Sequence, residues 1–359
     1  MSPPVFAASA PPPTGASLPF VSVVLPIRNE AGHIGRTLRS VLDQDYPAER
    51  MEVIVADGMS SDATRDIVDE VGRRDPRVRL IDNPGRIVAT GLNAAVPLTS
   101  GSVIVRVDGH CEIEASYVRR VVAQLADRTI AAVGGPLDTI GDTAWARAIA
   151  VAMSSRFGVG DSTFRVGAGA AADVDTVAFP GYSRDALRRA GPFDEELVRN
   201  QDDEYSYRLR SLGYRVVFVP EIRAVYHSRS TLRSLWRQYF QYGFWKVRVL
   251  QKRTRQMRPR QFVPPLFVAG LLGGSAAALT VPGGWVILGV VLAPYLAANL
   301  LASAAAAGVD RALLLRLPPT FLVLHVAYGA GFLTGLCRFA SRWLPPASRP
   351  DPTERPAWL

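Results

Sequence analysis

The sequence predicts an α/β domain with a mainly parallel sheet flanked by helices, followed by apolar helices long enough to cross a membrane. Three observations carry this. Short β-branched runs alternate with helical patterns through the first two-thirds of the chain. These runs end in polar turns. The last third, after Pro264, is dense in Leu, Ala, Val and Gly and nearly free of acids. Alternating strands and helices bury both faces of a parallel sheet.

The first run, VSVVLPI at 21–27, reads as a buried strand. Asn29 and Glu30 then open a helical pattern that puts Ile34, Leu38, Val41 and Leu42 on one face. VIVA at 53–56 is a second strand, ending on Asp57-Gly58, and 62–71 reads as a helix. A third short strand covers 77–81, and 91–96 sits in a helix. VIVRV at 103–107 is a fourth strand, ending on Asp108. Beyond it, 174–180 is expected as a strand, 182–190 as a helix, 201–212 as a helix, 216–219 as a strand and 232–250 as an aromatic-rich helix. In open α/β sheets ligands bind at the carboxyl ends of strands, where Asp57 and Asp108 both stand.

The apolar third offers spans at 265–281, 284–306 and 320–340, against the roughly 20 residues a crossing helix needs. A basic run from Arg248 to Arg260 directly precedes them, and such runs sit at anionic membrane surfaces. Held inside, it sends the first span out and the second back, which keeps Arg311 and Arg316 inside. A full third span puts Arg342 and Arg349 outside; the alternative is a segment that re-enters or lies at the interface.

The net charge of +9 is compatible with nucleic acid as well as with a membrane. No zinc-finger spacing or RNA-binding signature is present, so no nucleic-acid partner is expected. The two cysteines, Cys111 and Cys337, lie in segments of opposite character. That usage fits a reducing, cytoplasmic catalytic domain at a plasma membrane. The organisation expected is a disordered leader at 1–19, a catalytic domain at 20–247 and a basic juxtamembrane segment at 248–263. Two or three transmembrane helices at 264–341 and a tail at 342–359 follow. The leader lacks the basic start and apolar core of a signal peptide.

Chemistry can reside in four places. Asp108-Gly109-His110 follows a buried strand, and residues i and i+2 of a bent segment can offer two ligands to one divalent cation. Carboxylate oxygen suits Mg²⁺ or Mn²⁺, and imidazole suits Mn²⁺ better. The plain alternative is a polar turn. Asp57-Gly58-Met59-Ser60-Ser61-Asp62 can contact a nucleotide or simply turn into a helix capped by Ser61 or Asp62. Gln201-Asp202-Asp203-Glu204 sets three acids at a helix start, where the dipole favours them; one of them can act as a general base. His227 is one of four histidines and is either a ligand or an ordinary polar residue.

The order VSVVLPIRNE, VIVADGMSSDAT, GLNAAV, VIVRVDGH, FPGYSR, NQDDEYSYRLR resembles inverting glycosyltransferase family 2 with its GT-A nucleotide-sugar-binding fold. It covers Phe20 to Lys246 and looks most like bacterial exopolysaccharide glucosyltransferases of the succinoglycan ExoA type. The resemblance implies a UDP-sugar donor, a divalent cation (Mn²⁺ or Mg²⁺) and, with the apolar helices, a lipid-linked polyprenyl saccharide acceptor at the membrane. It implies that Pro26, Asn29, Glu30 and Asp57 contact the nucleotide, with Arg86 and Asn93 nearby. Asp108 and His110 correspond to the two ends of the family's acid-x-acid metal motif. His227 corresponds to a histidine that helps bind metal or diphosphate. Gly181 and Asp203 fall on the substrate side, and Asp202 corresponds to the catalytic base. Gln201 stands where the family carries Glu before that base. Gln238 and Gln241 are present, but Trp245, a further substrate-binding candidate, is not preceded by the Arg of processive synthases. Two other readings are a polyprenyl-phosphate sugar synthase and an inactive membrane scaffold.

Overall fold

A computed structural model describes residues 18–343; the expected leader, but for its last two residues, and the tail beyond 343 lie outside them. In chain order the elements begin with β1 (Val21–Ile27), α1 (Ile34–Leu42), β2 (Met51–Asp57), α2 (Thr64–Arg74), β3 (Val78–Asp82) and α3 (Val88–Ala95). Then come β4 (Val103–Arg106), β5 (Cys111–Ile113), α4 (Tyr117–Leu125), β6 (Ile130–Gly134), β7 (Leu137–Ile140) and α5 (Ala144–Met153). They continue with α6 (Arg156–Val159), α7 (Thr163–Val166), β8 (Ala172–Asp173), β9 (Gly181–Ser183), α8 (Arg184–Ala190) and α9 (Gln201–Ser211). The last are β10 (Arg215–Phe218), β11 (Ala224–His227), α10 (Leu232–Lys252), α11 (Val263–Thr280), α12 (Trp285–Ala307) and α13 (Arg311–Arg338).

The described chain forms two compact units, one of residues 18–138 with 167–226 and the other of 139–166 with 227–343. The first holds an eight-stranded sheet of order β3-β2-β1-β4-β9-β6-β10-β8. Strands β3, β2, β1 and β4 run parallel, as do β6 and β10. Strand β9 is antiparallel to both β4 and β6, and β8 is antiparallel to β10. Every residue of β1 is buried, as a central strand covered on both faces demands; its unbroken Val/Ile/Leu run is the sequence form of that position. Helix α1 buries Ile34, Leu38 and Val41 of the stripe read from the sequence, with Thr37 buried and Leu42 only partly covered.

The expected strand at 174–180 is not formed. Its β-branched residues flank irregular backbone between β8 and β9, and Phe179 sits at φ 44°. Tyr182, expected to begin a helix, instead lies in β9 opposite Ile104 and Ala132. Short β5, β7 and β11 were not legible either; they form a second sheet of order β5-β11-β7, with Tyr226 opposite Cys111. Cys111 is buried and Cys337 exposed, and no disulfide joins them.

Among the described residues, three helices are long and apolar enough to cross a membrane; they lie in the second unit and end at Thr280, Ala307 and Arg338. Helices α11 and α12 form a hairpin about Gly283, at φ 77°. Leu266, Leu279, Trp285, Val290 and Leu301 are all exposed along the hairpin. Helix α13 begins at Arg311, earlier than the sequence suggests, and carries Pro318 and Pro319 inside it. The Asn299 amide donates to the Pro318 carbonyl at 3.1 Å and ties α12 to α13. Helices α10 and α13 pack in parallel with their backbones touching. A Cβ on Gly331 would meet the Phe240 carbonyl at 2.0 Å, and one on Gly243 would meet the Tyr328 carbonyl at 2.0 Å. Small residues at such spacing let helices approach this closely.

Candidate active site

The site is built where β1, β2 and β4 end. Two loops at these ends are laced together. The Asn29 backbone N–H donates to Ser60 Oγ at 2.8 Å, and the Ser61 N–H donates to Asn29 Oδ1 at 2.9 Å. The Glu30 N–H donates to Thr64 Oγ1 at 2.7 Å. Asn29 takes the left-handed conformation at φ 55°, which Asn tolerates better than most residues. Asp62 accepts from Thr64 N–H and hydroxyl rather than capping the helix directly.

Asp57 is wholly buried. Its carboxylate accepts from the Ser60 N–H at 2.9 Å, the Ser60 hydroxyl and the Arg65 guanidinium at 2.8 Å. Arg65 also donates to Asp82 at 2.8 Å, so the ends of β2 and β3 share one cation. Pro26 lies in β1 beside Ala56, and a Cβ on Gly91 would meet its ring carbon at 3.1 Å. Arg86 stands at φ 62° in the turn before α3. The Asn93 amide donates to the Phe193 carbonyl at 2.9 Å and to Glu195 at 2.8 Å, and its oxygen accepts from Phe193 N–H at 2.8 Å. Gly181 lies so near α4 that a Cβ would overlap Val121.

At the end of β4 is Arg106, which sequence reasoning missed. It is 4% exposed. Its Nε and Nη2 donate to Asp108 Oδ1 at 3.1 and 2.9 Å, while Nη1 donates to Asp202 Oδ1. Burial alone would lower its pKa; the two carboxylates outweigh that and raise it. A planar guanidinium can fork between two carboxylates in this way, and a lysine cannot. The signal was present in the VIVRV run, where an arginine interrupts a buried strand and must find buried acids.

Asp202 occupies the first turn of α9, whose preceding Asn200 is left-handed at φ 63°. Its carboxyl is raised to about 6. Desolvation is the largest cause, Arg106 opposes it, and Asp108 and Asp203 add to it. Glu204 is taken up by Arg208 at 2.8 Å, one helical turn on. The three acids thus separate: Glu204 is structural, Asp203 is a like-charge neighbour and Asp202 is tied to Arg106.

His110 lies two residues beyond Asp108. Its Nδ1 is 2.8 Å from Glu30 Oε1, and its ring meets Tyr226 edge-on at 5.1 Å. The Thr37 hydroxyl donates to the Gly109 carbonyl at 2.9 Å and holds the turn to α1. Among the described residues, Asp108 Oδ2 and His110 Nε2 have no hydrogen-bond partner. Among them, too, no three His, Cys, Asp or Glu side chains gather into a metal cage. A carboxylate oxygen and an imidazole nitrogen with free lone pairs fit a divalent cation whose other positions are filled by phosphate and water.

His227 and Trp245 belong to the second unit. His227 Nδ1 is 4.0 Å from Asp142. Trp245 packs against Phe244 and Phe339, with ring centroids 5.4 and 5.8 Å apart.

A model of glycosyl transferase family 2 matches residues 22–189. The succinoglycan biosynthesis protein ExoA of Rhizobium meliloti (strain 1021) is 32% identical over 341 residues, covering 89% of this chain and 96% of the relative. A dolichyl N-acetyl-alpha-D-glucosaminyl phosphate 3-beta-D-2,3-diacetamido-2,3-dideoxy-beta-D-glucuronosyltransferase of Methanococcus voltae is 24% identical, covering 65% of this chain and 74% of its own. Among solved structures, a Pyrobaculum calidifontis mannosyltransferase in complex with GDP-Man and Mn²⁺ covers 87% of both chains with a TM-score of 0.56 at 22% identity. The strand ends that carry Asp57 and Asp108 therefore belong to a GT-A fold, and the chain is a glycosyltransferase of family 2.

Proposed function

We propose that the chain moves a sugar from a UDP-sugar, UDP-glucose foremost, to a lipid-linked saccharide in one inverting displacement, as a step in polysaccharide synthesis. The observation that carries this reading is the Arg106 fork, which joins Asp108 and Asp202 although they are far apart in sequence. A metal-ligand candidate and a base candidate are thereby fixed on one buried group. The ExoA relative is named for making a polysaccharide, and the Methanococcus relative for acting on a dolichyl-linked sugar phosphate. The mannosyltransferase carries GDP-Man, so the choice of uracil rests on Asp57 and on the bacterial likeness.

In this reading Asp108 and His110 would hold the cation, which would supply positive charge to offset a diphosphate leaving group. Mn²⁺ is favoured over Mg²⁺ by the imidazole. Asp57, Asn29 and Pro26 form the nucleotide end, with Arg86 near the phosphates. Asp202 takes the proton of the acceptor hydroxyl. Asp203 and Gly181 fall on the acceptor side, while Asn93 holds Phe193 and Glu195 in place. A carboxyl at about 6 is ionised at neutral pH yet more basic than an ordinary aspartate, which suits a general base.

The reading extends to the membrane. Helices α11 and α12 cross it with the basic run on the cytoplasmic side. Helix α13 exposes no large apolar side chain after Leu322, and both its ends carry arginine: Arg311 and Arg316, then Arg338 and Arg342. It lies at the interface on the basic side instead of crossing. Reporter fusions at Gly283 and at the C-terminus check this: the first reads external and the second cytoplasmic. An external C-terminus contradicts it.

The test of the activity is a screen of radiolabelled sugar nucleotides against membrane lipid extract, with Mn²⁺ and with EDTA. The expected product is an extended lipid-linked saccharide, with anomeric inversion at the new bond and loss under EDTA. A monophosphoryl lipid sugar would instead identify a polyprenyl-phosphate sugar synthase.

A further inference from the structure

We propose that Glu30 is a positioning residue for His110. Its carboxylate accepts a hydrogen bond from Nδ1–H, so that the Nε2 lone pair is left for the cation beside Asp108. This rests on the reading that Asp108 and His110 hold a divalent cation.

Neutral imidazole has one donor nitrogen and one acceptor nitrogen, and an ionised carboxylate only accepts. With Glu30 Oε1 at 2.8 Å from Nδ1, the hydrogen belongs on Nδ1, and Nε2 is left bare. Histidine ligands to metals are commonly oriented by a carboxylate in this way. Both residues are largely enclosed, at 16% and 18% side-chain exposure, so the pair is sheltered from competing water.

The surroundings fix the pair from several sides. The Glu30 backbone is held by Thr64, and its carbonyl accepts from the N–H groups of His33 and Ile34 at 2.9 and 2.8 Å. On the other side, Thr37 holds Gly109 and Tyr226 supports the imidazole ring. Gly109 stands between the two ligands because a Cβ there would come within 2.8 Å of Glu30 Cγ and 2.9 Å of Ile27 Cγ2. Any larger residue at 109 displaces the glutamate.

The carboxylate keeps its charge in this hydrogen bond, and that charge raises the basicity of the ligand nitrogen.

The experiment uses the full-length protein in lipid, with Glu30→Gln, Glu30→Leu and Asp108→Asn. Gln keeps an acceptor oxygen without the charge, and Leu removes the acceptor. With ¹⁵N-labelled histidine and no metal, solid-state NMR reads the His110 tautomer, assigned by its loss in His110→Ala. Wild type and Glu30→Gln are expected to show Nδ1–H, and Glu30→Leu a mixture with Nε2–H. Mn²⁺ titration followed by EPR is expected to show affinity falling about 10–100-fold in Glu30→Leu and less in Glu30→Gln. An Nε2–H tautomer in the wild type overturns the proposal. So does wild-type Mn²⁺ affinity in Glu30→Leu when Asp108→Asn has lost it. If Asp108→Asn also binds Mn²⁺ normally, the cation site itself is misassigned and the proposal falls with it. A role confined to holding the loop would lower stability without moving the tautomer.

Discussion

Arg106 and Asp202 meet at the sheet end, a buried strand arginine donating to an acid in the first turn of α9, 96 residues further along the chain. The same guanidinium holds Asp108. Replacing it by methionine leaves two carboxylates without their shared counter-charge. Breaking a buried ion pair by removing one partner costs about 3–5 kcal/mol. Thermal unfolding of Arg106→Met should show a loss of that order, and Arg106→Lys, which keeps charge but not the fork, should fall between.

The raised carboxyl of Asp202 gives a pH dependence with a definite sign. The base works ionised, so kcat/KM should rise with pH through about 6 and level off above it. Arg106 lowers this pKa, so any folded Arg106→Met protein should show the acid limb moved to higher pH. Initial rates at low donor concentration across pH 5 to 8 measure both.

Stability should move in the opposite direction. A carboxyl whose folded pKa lies above its unfolded value favours the folded state only while protonated. That contribution is complete below the ordinary aspartate range near 4 and is lost as pH rises through about 6. Asp202→Asn mimics the protonated form. Its melting temperature should exceed that of the wild type at pH 8, and the gap should close towards pH 4.

Asn93 offers a contrast between scaffold and contact. All three hydrogen bonds of its amide go to Phe193 and Glu195. Asn93→Ala should destabilise the domain by about 1–3 kcal/mol, the cost of leaving such groups unpaired. Donor affinity at a temperature where the variant is folded should change much less than in Asp57→Asn. Equilibrium donor binding, beside thermal melts, separates the two.

In the second unit, Gly331 carries the approach of α13 to α10. Leucine there is overpacked, and overpacking costs about 1–3 kcal/mol. Gly331→Leu should lower the melting temperature of detergent-solubilised protein, while the neighbouring exposed Thr334→Leu should leave it unchanged.

The sequence made the parallel half of the sheet legible because β1, β2 and β4 are buried on both faces and so form unbroken apolar runs. The short strands β5, β7, β8 and β11 carry two to four residues each, too few for a period to declare itself. The stretch at 174–180 is apolar because it is covered, not because it pairs. Asp108, His110 and Asp202 could be picked out because they are polar at element ends. Arg106 could not be placed, since its partners come from α9 and from its own strand end, a relation only tertiary structure supplies. Glu30 could be seen in the loop but not its partner, 80 residues away.

Asp202→Asn tests the central claim most directly. In membranes containing folded variant, sugar transfer from the identified donor should fall about 10²–10⁴-fold, the usual contribution of a general base. Equilibrium binding of the nucleotide with Mn²⁺ should be retained. Turnover near that of the wild type would contradict the assignment of Asp202 as the base.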